Sequence, residues 1–224
     1  MKTVVMSGLY PQFCEALSQK GYHIILSKKI NTFPEPEQYH ADMQLLNING
    51  ELFTLQECRG ADQTVVTCEK PAGKRYPENV LLNALFIGGC VYANEAALDS
   101  SVKRFCREQQ IPIINVKQGY ARCSVLVLNE HAAVTADKSL WQALAKNGVE
   151  VLPVSSGHIR IEGFDYGFIG GASGKIDDAI FFFGNIKEHP DFESIRMFCE
   201  KHQIKIEILC PDLPLTDIGG IVPV

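Results

Sequence analysis

The amino-acid sequence predicts an α/β protein in which one strand-strand-helix-strand unit recurs about a centre, a five-fold pseudosymmetric α/β propeller. Three observations carry that reading. Five β-branched or apolar runs recur along the chain: "YHIILS" (22–27), "QTVVTC" (63–68), "IPIINV" (111–116), "VEVLPV" (149–154) and "IKIEIL" (204–209). Each is followed by a polar or Gly/Pro-bearing loop and a second apolar run ending in Gly, Asn or Asp, the chemistry of a tight hairpin. The last of these second runs, "DIGGIVPV", has no partner after it, while "KTVVMS" (2–7) is a strand-like segment with no repeat of its own. Pairing the two closes a ring and removes exposed sheet edges.

The second runs begin at Asp42, Asn79, Cys123, Asp165-Tyr166 and Asp217, and four of them have their return strands at once: "ELFTL", "CVYAN", "AAVTA" and "AIFFFGN". Helices are expected next, in "YPQFCEALSQKG", "EAALDSSVKRFCREQ", "KSLWQALAKNG" and "DFESIRMFCEKHQ", where apolar residues fall three and four apart. Asn94, Asp137 and Pro190-Asp191 read as start signals, and Gly21 and Gly148 as stops. Only "QECRGAD" separates the strands of the second repeat, which has therefore lost its helix. A doubly wound parallel sheet is disfavoured, because no G-x-G-x-x-G follows a first strand and parallel sheets do not use hairpins. The glycines of "GFIGGASGK" lack the order of a phosphate-binding loop and are read as close strand packing.

The 224 residues, 46% hydrophobic and 21% charged, suit one domain over residues 1–224. A formal charge of −5 with no Lys/Arg run argues against nucleic acid as a partner. The N-terminal "MKTVVMSGLYPQF" has an apolar stretch of only a few residues, below the roughly 7–15 of a signal h-region and the roughly 20 of a membrane span, so no membrane partner is expected. The eight cysteines are scattered with no C-x-x-C, as expected of core thiols in a reducing cytoplasm. His40, Asp42 and His158 lack a diagnostic ligand spacing, so neither a metal nor a cofactor is expected.

Ring symmetry would bring the five second-strand starts, Asp42, Asn79, Cys123, Asp165 and Asp217, to a common central mouth, although Asp and Asn there could equally serve as turn residues. The motifs "YHADMQL", "VKQGYARCSV", "GFDYGFIGGASG" and "LTDIGGIVP" carry a resemblance over essentially the whole chain. The sequence resembles the pentein fold of the guanidino-group-modifying enzymes (arginine deiminases, dimethylargininases, amidinotransferases and agmatine deiminases). It is more closely similar to a bacterial family of unknown function that shares this fold. The ribosome anti-association factor, which is not an enzyme, has the fold as well, so the resemblance alone does not fix an activity.

In the enzymes, a cysteine near the C-terminus attacks the guanidinium carbon, a histidine in H-x-D or H-x-E acts as acid and base, and acidic residues hold the substrate. Here Val224 stands near the nucleophile position, which argues against standard deiminase or amidinotransferase chemistry. The H-x-D counterpart, His40-Ala41-Asp42, lies in the first repeat rather than the fourth. Acidic recognition is the part that carries over, and it implies a small cationic, guanidino-type ligand bound by Asp42, Gln44, Asn79, Arg122, Asp165 and Asp217. Clustered carboxylates repel unless a cation compensates, and a guanidinium fork is suited to that; Arg122, Arg160 or Lys117 could do so internally. Two alternatives stay open. One is a hydrolase using Cys123 as nucleophile, its thiolate favoured by Arg122 and paired with His40 or His158. The other is a non-catalytic module that binds a partner through its outer surface.

Overall fold

A computed structural model describes residues 2–60 and 64–224. In the first blade, β1 (Thr3–Met6) and β2 (His23–Leu26) pair in parallel across helix α1 (Pro11–Gln19). After a helical turn, α2 (Ala41–Gln44), the hairpin β3 (Leu45–Ile48) and β4 (Glu51–Thr54) leads to β5 (Val66–Thr67). The third blade is β6 (Leu85–Ile87), β7 (Cys90–Ala93), helix α3 (Ser100–Glu108) and β8 (Ile113–Asn115). The fourth is β9 (Val125–Asn129), β10 (Ala132–Thr135), α4 (Lys138–Lys146) and β11 (Glu150–Pro153). The fifth is β12 (Ser173–Ile176), β13 (Ala179–Asn185), α5 (Phe192–Lys201) and β14 (Lys205–Pro214). Finally β15 (Ile221–Pro223) returns to β1 and pairs antiparallel, Met6 opposite Ile221 and Val4 opposite Pro223.

Five three-stranded sheets result, each with its first strand antiparallel and its third parallel to the middle one. The inner strands stand side by side, with β9 between β6 and β12 and β15 between β12 and β3. The second and third blades share an apolar cluster that includes Leu46, Phe53, Val91 and Val102. The hairpins β3–β4 and β6–β7 turn through Asn49-Gly50 and Gly88-Gly89, all four residues at positive φ, as a turn matched to strand twist requires. Between β4 and β5 the described chain has only a 3₁₀ turn (Gln56–Cys58), so the predicted loss of a helix is found there; Gln63 of the predicted strand lies outside the described residues. Phe13 and Leu17 of α1 bury against Phe181 and Phe183 of the fifth blade. Each such side chain contributes roughly 1.5–3 kcal/mol.

The expected boundaries shift in one consistent way. Every inner strand starts later than the sequence suggests: at Leu45 rather than Asp42, Leu85 rather than Asn79, Val125 rather than Cys123, Ser173 rather than Asp165-Tyr166, and Ile221 rather than Asp217. The polar residue in each case occupies a turn or loop before the strand, where side chains can bond backbone that a ladder would otherwise claim. Helix α3 begins after Asp99, whose carboxylate accepts from Ser101 N, and not at Asn94. Asp137 caps α4 as expected, accepting from Leu140 N.

Candidate functional site

The loops before the inner strands converge on a cavity of about 250 Å³ lined by Glu37, His40, Tyr120, Cys123, Asp217 and an arc of the 161–168 loop. Glu37 ends a 3₁₀ turn (Glu35–Glu37), and His40 N donates to Glu37 O (3.0 Å), so the two residues share one turn. Tyr120 and Cys123 are set in the same manner, because Ser124 N donates to Tyr120 O (3.0 Å). The carboxylate of Glu37 accepts from the Tyr120 hydroxyl (2.9 Å) and from Asn79 Nδ2 (3.0 Å), and Asn79 Nδ2 also donates to Tyr120 Oη (2.8 Å). Asp217 Oδ2 accepts from Phe168 N (2.8 Å) and Oδ1 from Gly219 N (3.0 Å), with His40 Nδ1 3.9 Å from Oδ1. Gly171 is required beside it, since a Cβ there would collide with the Asp217 carboxylate.

Asp42 is fully buried, and among the described residues neither of its carboxylate oxygens meets a donor in hydrogen-bonding geometry. Its backbone N–H donates to Gly219 O (3.1 Å), tying the first repeat to the approach of β15. Asn83 braces Cys123: its Nδ2 donates to Cys123 Sγ (2.9 Å) and Asp42 O (3.2 Å), and its Oδ1 accepts from Arg122 N (2.9 Å) and Cys123 N (3.3 Å).

Glu37, Asp42 and Asp217 are all buried, and among the described residues no Arg or Lys forms an ion pair with any of them. Burial pushes the Asp217 carboxyl above the usual carboxylate range, with His40 pulling it down and Asp42 pushing it up. Burial likewise raises Glu37, against the pull of its Tyr120 bond, His40 and Asn79. Cys123 is held well above an ordinary thiol, first by burial and then by the charges of Asp42 and Asp217. Its thiol feels Asp42 without making a geometrically good hydrogen bond to it. Burial and neighbouring carboxylates together favour the neutral form of the thiol.

The aromatic side of the cavity is a ladder. Tyr76 stacks on Tyr120 (centroids 6.2 Å apart), Tyr120 on Phe168 (6.0 Å), and Tyr166 meets Phe168 edge-on (6.5 Å). Phe164 completes the wall and is shared with a neighbouring cavity of about 580 Å³ lined by Tyr10, Lys29, Glu35, Tyr39 and Glu162.

Of the residues singled out in the sequence, His40, Cys123, Asp165 and Asp217 line the cavity, and Asp42 lies directly behind Cys123 and Asp217. Asn79 stands one layer back, behind Glu37. Three do not join them. Gln44 spends its amide on loop backbone, accepting from Lys28 N (3.1 Å) and donating to Lys28 O (2.7 Å) and Gln38 O (3.2 Å). Arg122 reaches Val125 O and Ile221 O (3.4 Å each), so the expected cationic neighbour for a Cys123 thiolate is turned away. His158 is exposed and packs edge-on against His189 (5.4 Å), away from Cys123's cavity. Val224 is exposed, pairs through its N–H with Thr3 O (3.1 Å), and lines neither cavity. Glu37, Asn83 and Tyr120 were not anticipated. The only sequence signal for two of them is their spacing, Glu37 three before His40 and Tyr120 three before Cys123.

A family model described as a family of unknown function (DUF6873) matches residues 4–222. No curated protein matches the chain significantly. Among solved structures, a cysteine-to-serine mutant of DDAH from Pseudomonas aeruginosa, complexed with citrulline, aligns over 100% of this chain and 99% of its own at 9% identity and a TM-score of 0.57. A dimethylarginine dimethylaminohydrolase adduct with S-methyl-L-thiocitrulline aligns over the same shares at 9% identity and a TM-score of 0.56. C. jejuni agmatine deiminase aligns over 93% of this chain and 87% of its own, at 10% identity and a TM-score of 0.52. These similarities establish the pentein fold.

Proposed function

We propose, for a chain that belongs to the DUF6873 family of unknown function and has the pentein fold, that it binds a small organic cation in the cavity between Glu37, Asp217 and the 161–168 loop. One observation carries the reading: three buried carboxylates gather and, among the described residues, no basic side chain pairs with them except through the long contact from His40. Partly desolvated carboxylates without a counter-charge cost several kcal/mol, and a bound cation relieves that cost. Guanidino compounds are the nearest chemical precedent, since a similar fold is described as an agmatine deiminase with substrate bound.

Binding rather than deimination is the activity the residues favour. Val224 supplies no nucleophile, and Cys123, buried among carboxylates, is held as the neutral thiol. The free thiols at all eight cysteine positions suit the reducing cytoplasm expected for the chain, and no helix among the described residues is long and apolar enough to cross a membrane.

Calorimetric titration with guanidinium, agmatine and arginine tests the reading. Binding by the intact chain that weakens in Asp165→Asn and Glu37→Gln supports it. No binding by any cation, or binding that ignores both substitutions, refutes it. Citrulline or ammonia released from arginine, and abolished by Cys123→Ser, would instead establish relocated catalysis.

A further inference from the structure

The walls of this cavity distinguish between kinds of cation. A guanidinium brings five N–H donors, each of which needs an acceptor when it leaves water. Here the lining offers few acceptors for so many donors, and each oxygen of its two buried carboxylates already carries one hydrogen bond. Both Glu37 oxygens already accept, from Tyr120 and Asn79, and both Asp217 oxygens accept from backbone N–H groups. Cys123 Sγ receives the Asn83 amide. The third carboxylate on the lining is the exposed Asp165, and much of the remaining wall is ring and hydrocarbon: Tyr120, Ile161, Phe164, Tyr166 and Phe168.

We propose that the preferred occupant is a quaternary ammonium head, a cation with no N–H donor, held by ring faces and by the charge of carboxylates it does not hydrogen-bond. The inference rests on the cation reading above and narrows it. Tyr120, Phe164, Tyr166 and Phe168 all line the cavity, and with Tyr166 at 85° and Tyr120 at 29° to Phe168 its aromatic lining is not confined to one plane, which suits a cation held by rings. Glu37 and Asp217 line the same cavity as the rings and are the source of its negative charge. Methyl groups cost nothing to desolvate here and gain contact with the rings, whereas unsatisfied N–H groups would each be penalised. About 250 Å³ is room for a trimethylammonium head, with any longer substituent directed into the adjoining cavity that shares His40, Ile161, Phe164 and Asp217.

The test titrates the full-length chain with tetramethylammonium, choline, guanidinium and agmatine at matched ionic strength. The expected result is that choline or tetramethylammonium binds about tenfold more tightly than guanidinium, within the range of a desolvated cation–ring contact. Tyr166→Leu, at a residue 44% exposed, should weaken choline binding roughly fivefold or more while Tyr166→Phe retains it; Phe164→Leu is the second ring variant. Guanidinium binding as tightly as choline, or choline binding indifferent to both ring variants, overturns the inference and leaves the cation reading intact. Failure of every cation to bind removes both.

Discussion

Two sets of wholly or partly buried carboxyls in this molecule meet opposite fates. At the start of α3, Asp99 is 2% exposed, as buried as Asp217. It accepts from Ser101 N, Ser101 Oγ, Glu69 N and Lys70 N. Burial pushes its carboxyl up, but these bonds outweigh burial and hold it below the usual range. Asp137, at the start of α4, behaves alike, with Ser139, Leu140 N and Gln118 Nε2 as donors. Asp217, given two backbone donors and the distant ring of His40, stays raised. Low exposure alone therefore does not raise a carboxyl: Asp99 has four donors where the more deeply set Asp217 has two.

The largest expected effect comes from breaking the satisfied set. Asp99→Ala strands several donors and a helix cap, and should cost about 2–4 kcal/mol in urea unfolding while leaving cation affinity unchanged. A loss of affinity equal to that of the cavity variants would erase the distinction between the two sets. Next is Glu37→Gln, a near-isosteric change whose amide can reverse its bond with the Tyr120 hydroxyl. Cation binding should weaken by about 1.5–3 kcal/mol, the worth of a hydrogen bond or contact to a charged group, with folding stability at neutral pH unchanged or higher. A strongly destabilised Glu37→Gln would mean that its charge is needed for folding. Asp137→Ala, at a less buried cap, should cost about 1 kcal/mol and leave binding alone.

The smallest effect is a pH dependence of opposite sign in the two sets. Carboxyls held low, Asp99 and Asp137, contribute stability that is complete above the ordinary value of about 4 and is lost as pH falls through their lowered folded-state values. Carboxyls held high, Glu37 and Asp217, impose a penalty that is complete above their raised folded-state values and is relieved as pH falls toward the ordinary one. The urea midpoint of the wild type should therefore gain on that of Glu37→Gln as the medium is acidified through this window. Cation affinity should fall over the same window as the cavity carboxylates take up protons. A constant difference between the two midpoints would show that Glu37 is not raised.

Much of the fold was legible because it rests on local signals. Paired apolar runs, turn residues such as Asn49-Gly50, and the missing helix after β4 each reside in a few consecutive residues. The seam between β1 and β15 was legible by elimination, two unpaired strands needing one another. The site was legible only where a polar residue immediately preceded an inner strand. Glu37 sits on a 3₁₀ turn with no periodic pattern, and its partner Tyr120 lies in another repeat. Asn83 looks like one more apolar-run residue until the fold brings Cys123 against it. Arg122 and Gln44 misled for the reverse reason, since adjacency in sequence says nothing of which backbone carbonyl a long side chain will reach.

The seam also has a kinetic meaning. Met6 and Ile221 face each other from opposite ends of the described chain, a contact of very high sequence separation whose loop-closure entropy must be met before it gives any return. The other four sheets each pair strands that are near in sequence and can form first. Asp217 and the Gly219 carbonyl that holds Asp42 N both lie on the segment that enters the seam. A chain with four finished blades would therefore lack a complete cavity, and the first appearance of the proposed cation affinity during refolding would time the docking of the final strand.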